Sequence, residues 1–266
     1  MAKIKQKKTL RSGYTTGACA AAAALGAARM IEARQVIETV ELILPAGEAA
    51  SFALQGQSFS AELATCFVVK DAGDDPDVTD GVEVHATVAL SSSGGLQLSG
   101  GVGVGTVTKP GLPVAVGEPA INPVPRKMIE DAVRSVLADA PAMVTISIPD
   151  GEERSQRTLN ERLGIVGGLS ILGTTGIVRP ISHKAWTDTI DVAIDVALAG
   201  GSDRVVLVTG RTSERLAQKH FDLPEEAFVM MGDHVGYALD ACQRKSVLQV
   251  IVAAQFAKLL KMACGH

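Results

Sequence analysis

Aromatic residues are scarce in this chain. Its 266 residues include one Trp, two Tyr and six Phe, 3% in all. A core with so few rings has to be aliphatic and small, built from Val, Ile, Leu and Ala. Excess positive charge is also missing. The net charge is -4, which argues against a general nucleic-acid binder, since such proteins carry a basic footprint. The one basic run is Lys3, Lys5, Lys7, Lys8 and Arg11. It reads as a solvated tail or as a tail that helps hold an anionic ligand.

Cysteine pairing is absent too. Cys19, Cys66, Cys242 and Cys264 are scattered, form no Cys-x-x-Cys, and have no His at metal-ligand spacing. They read as small buried hydrophobes in a reducing cytoplasm, and no protein metal site is expected. No apolar run is long enough to span a membrane. The basic start followed by alanines mimics a secretion signal, but Arg11-Ser-Gly-Tyr-Thr-Thr-Gly17 stands where its Leu-like run should be. A cytoplasmic location is expected. Also lacking are a Walker loop, a Gly-x-Ser-x-Gly elbow and a Ser-His-Asp or Cys-His pattern. No catalytic residue can be named from pattern alone. His183 and His234 read as structural or as groups titrating near neutrality.

What the sequence does contain is 47% hydrophobic residues and 27 glycines gathered in loops, a composition able to bury a core. Residues 18–34 read as an alanine-rich helix capped by Thr15 or Thr16. Strand-like segments follow at 38–44, 51–55, 58–70, 83–90 and 100–108. A helix is expected over 124–137, started by Asn122-Pro123, and a strand over 143–149. Asp150-Gly151 marks a boundary. Beyond it a helix over 182–199 leads into strands at 204–210, 227–232 and 247–254, each followed by a helix. Strands this continuously apolar imply a parallel sheet covered on both faces. The expected fold is therefore α+β and α/β. A mixed-sheet α+β domain over 1–150 is followed by a smaller Rossmann-like parallel-sheet domain over 151–266.

Four loops could carry chemistry. Gly13-Tyr14-Thr15-Thr16-Gly17 places two hydroxyls at a helix N-terminus, where a carboxylate or phosphate is favoured, although a plain helix cap explains it equally well. A second Thr-Thr-Gly at Thr174, Thr175 and Gly176, followed by Arg179, suggests a ligand with several anionic groups, or a domain linker. The loop over 100–129 carries Lys109, Arg126 and Lys127 among glycines and prolines, and loops this long are usually functional. Its Gly-x-Gly-x-Gly leads into Thr-Lys-Pro-Gly rather than a helix, so it is a poor dinucleotide fingerprint. The fourth loop holds Asp71, Asp74, Asp75, Asp77 and Asp80. It reads first as a turn and second as a partner for a ligand amino group rather than a cation.

The stretches RSGYTTGACAAAAA, VVKDAGDDPDVTDG, GGVGVGTVTKPGLPVAVGEPAINPVPR and LGIVGGLSILGTTGIVRPIS together resemble the cobalt-precorrin-5B C(1)-methyltransferase (CbiD) family, in order and over nearly the whole chain. RVVLVTGRTS, VMMGDHVGYALD and AKLLKMACGH resemble its second half. Relatives are expected to run on past the Ala253-Ala254 region, so the second domain is expected to be short at its carboxyl end.

The resemblance implies methyl transfer from S-adenosylmethionine to ring carbon 1 of cobalt-precorrin-5B, giving cobalt-precorrin-6A in anaerobic cobalamin biosynthesis. Cobalt would arrive with the substrate. The partner is then a small-molecule corrinoid, with no nucleic acid or membrane, and a homodimer is compatible. The competing reading is a corrinoid carrier without chemistry. The corrinoid is expected against Tyr14, Thr15, Thr16, Gly17, Lys109, Thr174, Thr175 and Arg179, in a cleft between halves. S-adenosylmethionine is expected at strand ends near Gly210, Gly232 and Asp233, because ligands of parallel sheets lie at their carboxyl ends.

Overall fold

The computed structural model describes Leu10–Pro180 and Ser182–Gly265. The basic residues Lys3, Lys5, Lys7 and Lys8 lie outside them. The architecture is mixed α+β with several sheets. The chain divides into two compact units. Unit 1 is the chain up to Thr106 together with Glu118–Asn160 and Val166–Ile181. Unit 2 is Val107–Gly117, Glu161–Ile165 and the chain from Ser182 onward. Residues 151–160 and 166–181 thus fall with the first half, and residues 107–117 with the second.

Unit 1 opens with strand β1 (Gly13–Tyr14) and helix α1 (Thr16–Ala33). The alanine run is a core helix. Of its 18 residues 15 are buried, and a helix that is apolar all round belongs inside a protein. Thr15 caps it, its hydroxyl accepting a hydrogen bond from the Ala18 amide at 3.2 Å. Strands β2 (Thr39–Ile43) and β3 (Ala49–Ala53) form an antiparallel hairpin with Val40 opposite Phe52. Strands β4 (Gln55–Phe59), β5 (Leu63–Val69), β6 (Glu83–Leu90), β7 (Leu96–Gly100) and, after helix α2, β9 make the main sheet. Two-residue strand β8 (Thr106–Val107) precedes α2 (Pro123–Leu137), and β9 is Ala142–Ser147. The sheet order is β4-β5-β6-β9-β7, antiparallel except for the parallel β7–β9 pair.

Register explains why this sheet accepts α1. Ala64, Cys66 and Val68 of β5 lie opposite Val88, Ala86 and Val84 of β6. All six are buried, so one face presents small apolar side chains on which an alanine helix can lie close. Helix α2 covers α1 in turn. Short helix α3 (Gly151–Ser155), strand β10 (Ile165–Val166) and strand β11 (Ile177–Val178) follow. β11 pairs antiparallel with β1, Gly13 opposite Val178 and Tyr14 opposite Ile177. That pairing ties residues near 177 to unit 1.

Two expectations need correction. The segment expected as one strand over 58–70 is two strands. Ser60 turns the chain between them, its Oγ accepting from the amides of Glu62 and Leu63. Of the strand expected over 100–108, only Gly100, which ends β7, and Thr106–Val107 are regular. Glycines at alternate positions leave no side chains to pack on a pleated surface.

Unit 2 carries helix α4 (His183–Ala199), β12 (Arg204–Val208), α5 (Arg211–His220), a 3-10 turn at Glu225–Ala227, β13 (Phe228–Met230), α6 (Val235–Arg244), β14 (Gln249–Ala253) and α7 (Phe256–Ala263). Its three strands are all parallel, in the order β13-β12-β14. The sequence implied strands buried on both faces; β12 and most of β13 are buried, whereas β14 at the sheet edge is only partly covered. Ala217 of α5 packs with Val206, Val208 and Phe228 on one face. Ile190 and Ile194 of α4 and Ala238 and Ala241 of α6 pack with Val205, Leu207 and Val229 on the other. Among the described residues no helix is long and apolar enough to cross a membrane.

Candidate functional site

Within unit 1 the fold brings the two Thr-Thr-Gly turns together. The Thr15 amide donates to the Gly176 carbonyl at 3.0 Å and the Gly17 amide to the Leu172 carbonyl at 3.1 Å. The Thr16 hydroxyl donates to Leu172 O at 3.3 Å and accepts from Leu172 N at 3.1 Å. Gly173 has φ +122, and a Cβ there would stand 2.4 Å from Thr15 Cβ, so only glycine lets the two turns approach. Thr15 and Thr16 are buried, and their hydroxyls hold the chain's own groups. Thr174, Thr175 and Arg179 are exposed, the Thr175 hydroxyl bonding the Ile177 backbone, and Tyr14 is half-buried, its ring 4.7 Å from that of Phe52.

The acidic loop joins the same junction. The Tyr14 amide donates to the Asp71 carbonyl at 2.8 Å. The Arg11 guanidinium binds the Asp71 carboxylate, with Nη2 at 2.7 Å from Oδ1. This hydrogen bond, with one from the Gly73 amide, lowers the Asp71 carboxyl to about 2. Asp74 accepts from the Arg11 amide and Asp80 from the Ala72 amide. Lys70 is fully buried and donates to Asp77 at 2.7 Å. Burial alone would raise the Asp77 carboxyl, but the Lys70 charge and the bonds from Lys70 and Thr79 outweigh it and leave it lowered. Asp71 and Asp74 therefore tie the loop to Arg11, while Asp77 and Asp80 hold the loop itself. Among the described residues no group of three or more His, Cys, Asp or Glu could hold a metal ion.

Unit 1 also has an open cavity of about 700 Å³, lined by apolar Leu25, Val124 and Met128 and by the charged Arg29, Glu41, Lys127 and Asp131. Leu44 and Pro45 border it, and the neighbouring Ala46 amide donates to the Thr175 carbonyl. Lys127 is paired with Asp131 at 2.9 Å. Of the remaining loop cations, Arg126 lies 3.8 Å from Glu118. Lys109 belongs to unit 2, where it donates to Glu226 at 3.3 Å.

In unit 2, Gly210 and Gly232-Asp233 stand at the carboxyl ends of the adjacent strands β12 and β13. Helix α5 leaves β12 on one face and α6 leaves β13 on the other. Ligands of parallel sheets bind outside the carboxyl ends of the strands. The Asp233 carboxyl is held below its ordinary value by the Lys258 hydrogen bond. Nearby, the Trp186 indole N–H donates to the Met231 carbonyl at 3.3 Å. Pattern reading passed over Trp186. Its signal was rarity, since it is the single tryptophan of an aromatic-poor chain.

The CbiD family pattern matches residues 3–180. The chain belongs to the CbiD family. It is 62% identical over 274 residues to the cobalt-precorrin-5B C(1)-methyltransferase of Geobacter sulfurreducens, covering 97% of this chain and 75% of that one. It is 60% identical over 270 residues to the protein of the same name from Geotalea daltonii, with 97% and 75% covered. The like-named protein of Geobacillus kaustophilus is 50% identical, with 98% and 72% covered. Among solved structures, the cobalamin biosynthesis protein CbiD of Archaeoglobus fulgidus matches with a TM-score of 0.53 and 31% identity, over 96% of this chain and 80% of that one.

Proposed function

We propose that this chain is a cobalt-precorrin-5B C(1)-methyltransferase, which moves the methyl group of S-adenosylmethionine to ring carbon 1 and yields cobalt-precorrin-6A in cobalamin biosynthesis. The observation that carries this reading is 60–62% identity across 97% of the chain to relatives bearing that name. At such identity a carrier without chemistry is disfavoured.

The chemistry fits a site with no triad. The ring carbon's electron pair forms the new bond to the methyl carbon. The carbon–sulfur bond breaks with its pair going to sulfur, so S-adenosylhomocysteine leaves neutral and needs no proton. Holding donor and acceptor in line supplies much of the rate. Cobalt is part of the substrate.

Within unit 1, the exposed Thr174, Thr175 and Arg179 beside Tyr14 are the groups we assign to the macrocycle's carboxylates. The adjacent cavity offers apolar lining residues, and its size is typical of small-molecule sites. Thr15, Thr16 and Gly17 shape that surface from beneath. Lys109, in unit 2, is the remaining cation we assign to the substrate. Unit 2, read as a small Rossmann-like domain, is the donor's side, at Gly210, Gly232 and Asp233. The opposed connections of β12 and β13 support this.

The test is label transfer from methyl-labelled S-adenosylmethionine to cobalt-precorrin-5B, read by mass spectrometry. A corrinoid heavier by one methyl group is expected. An unmodified corrinoid that remains bound to the protein would favour the carrier.

A further inference from the structure

We propose that Trp186, with His183 and His234, forms the platform on which the adenine ring of the methyl donor stacks. This rests on the donor reading given above and adds residues that the sequence pattern did not supply.

The argument begins with geometry. Trp186 lies in the first turn of α4, and its indole covers Gly232 at the carboxyl end of β13. Gly232 has φ +58, and a Cβ there would meet the indole at 3.2 Å. The glycine therefore gives the chain its left-handed turn and lets the ring lie against the backbone. The indole N–H is anchored on the Met231 carbonyl, which fixes the ring. His234 lies 6.2 Å from Trp186 between centroids, tilted by 31°, and His183 meets His234 edge-on at 5.5 Å. Three rings are thus gathered, one of them the single tryptophan of the chain.

Exposure makes the cluster a binding candidate rather than core. Trp186 is 45% exposed, whereas Val229 and Met231 beside it are buried. A large apolar ring held in place yet left open at the strand ends has area to lose to a flat partner. Adenine is flat and stacks on aromatic side chains. Asp233 adds a carboxylate at the next position, bound to Lys258. An acidic group beside a parallel sheet's crevice suits ribose hydroxyls.

The single tryptophan makes the test direct. Titration of the purified chain with S-adenosylhomocysteine should change Trp emission saturably, with a midpoint matching the calorimetric Kd. Adenosine should produce the same spectral change and methionine should not. Trp186→Ala should weaken S-adenosylhomocysteine binding about tenfold or more, and Trp186→Phe by about threefold or less, because stacking tolerates a smaller ring. The KM for the donor should rise with Trp186→Ala while that for the corrinoid stays put. Calorimetric binding with flat emission and an unchanged Kd in Trp186→Ala would overturn this platform and leave the donor reading intact. Absence of both S-adenosylhomocysteine binding and methyl transfer would remove the donor reading, and the platform with it. If Trp186→Ala does not fold, the wild-type emission and Trp186→Phe still decide.

Discussion

Thr16 and Leu172, 156 residues apart, exchange two hydrogen bonds, the threonine hydroxyl donating to the leucine carbonyl and accepting from its amide. One side chain therefore satisfies both backbone groups of a residue in the other Thr-Thr-Gly loop. Thr16→Val keeps the shape and leaves the Leu172 amide unpaired, while its carbonyl keeps the Gly17 amide, a loss of about 1–3 kcal/mol. Thr16→Ser retains the hydroxyl and should cost less. Urea-unfolding midpoints of the two variants rank them, and equal midpoints would show that the paired bonds contribute nothing.

Thr15 acts differently, as the cap of α1. Thr15→Ala should destabilise by about 1 kcal/mol, and Thr15→Ser should recover most of it. If activity falls in Thr15→Ala only as far as the folded fraction does, the role is structural; a raised corrinoid KM in fully folded protein would give it a part in binding.

The Lys70–Asp77 pair should be asymmetric. The Lys70 side chain is 1% exposed and that of Asp77 26%. Asp77→Ala strands a buried ammonium and should cost about 3–5 kcal/mol. Lys70→Met leaves a carboxylate that water partly reaches, so the loss should be smaller. Equilibrium denaturation of both variants checks the order, which reverses if burial of the lysine is not the governing term.

Acid should open the junction at Arg11–Asp71. The folded Asp71 carboxyl is lowered to about 2, against an ordinary value near 3.9. A lowered folded value means that the stabilising pair is complete above the ordinary value and is lost as pH falls from there through about 2. The pair is exposed, so salt should weaken it. Asp71→Asn should remove this part of the acid dependence, as followed by NMR shifts of the loop.

Thiol chemistry should single out one cysteine. Burial pushes the Cys19 and Cys66 thiols up to about 12 and raises that of Cys242, whereas Cys264 is exposed. The native chain should release about one equivalent with a chromogenic disulfide reagent, and about four after unfolding, since the thiolate is the reactive form. Rapid native labelling of Cys19 would contradict the packing of α1.

Local elements were largely legible in the sequence. Capping of α1 by Thr15, the alanine helix, the strand over 83–90 and the β-α alternation after residue 200 all follow from propensity and periodicity over short windows. Family membership was legible as well, because long motifs kept their order. Long-range pairings were not. No local pattern says that Tyr14 faces Ile177, that Thr16 completes Leu172, or that the β1–β11 pair carries residues 177–178 back to unit 1. The two Thr-Thr-Gly turns were visible as candidates, yet which hydroxyls remain open to a ligand depended on what packs against them. The same holds for Trp186. Its rarity could be counted, but its position over Gly232 arises from the crossing of α4 with the end of β13. Sequence alone determined the elements, because helix and strand preferences are set by neighbours along the chain. Tertiary structure decided which polar groups are used up and which rings stay exposed, because burial and hydrogen-bond pairing depend on neighbours in space.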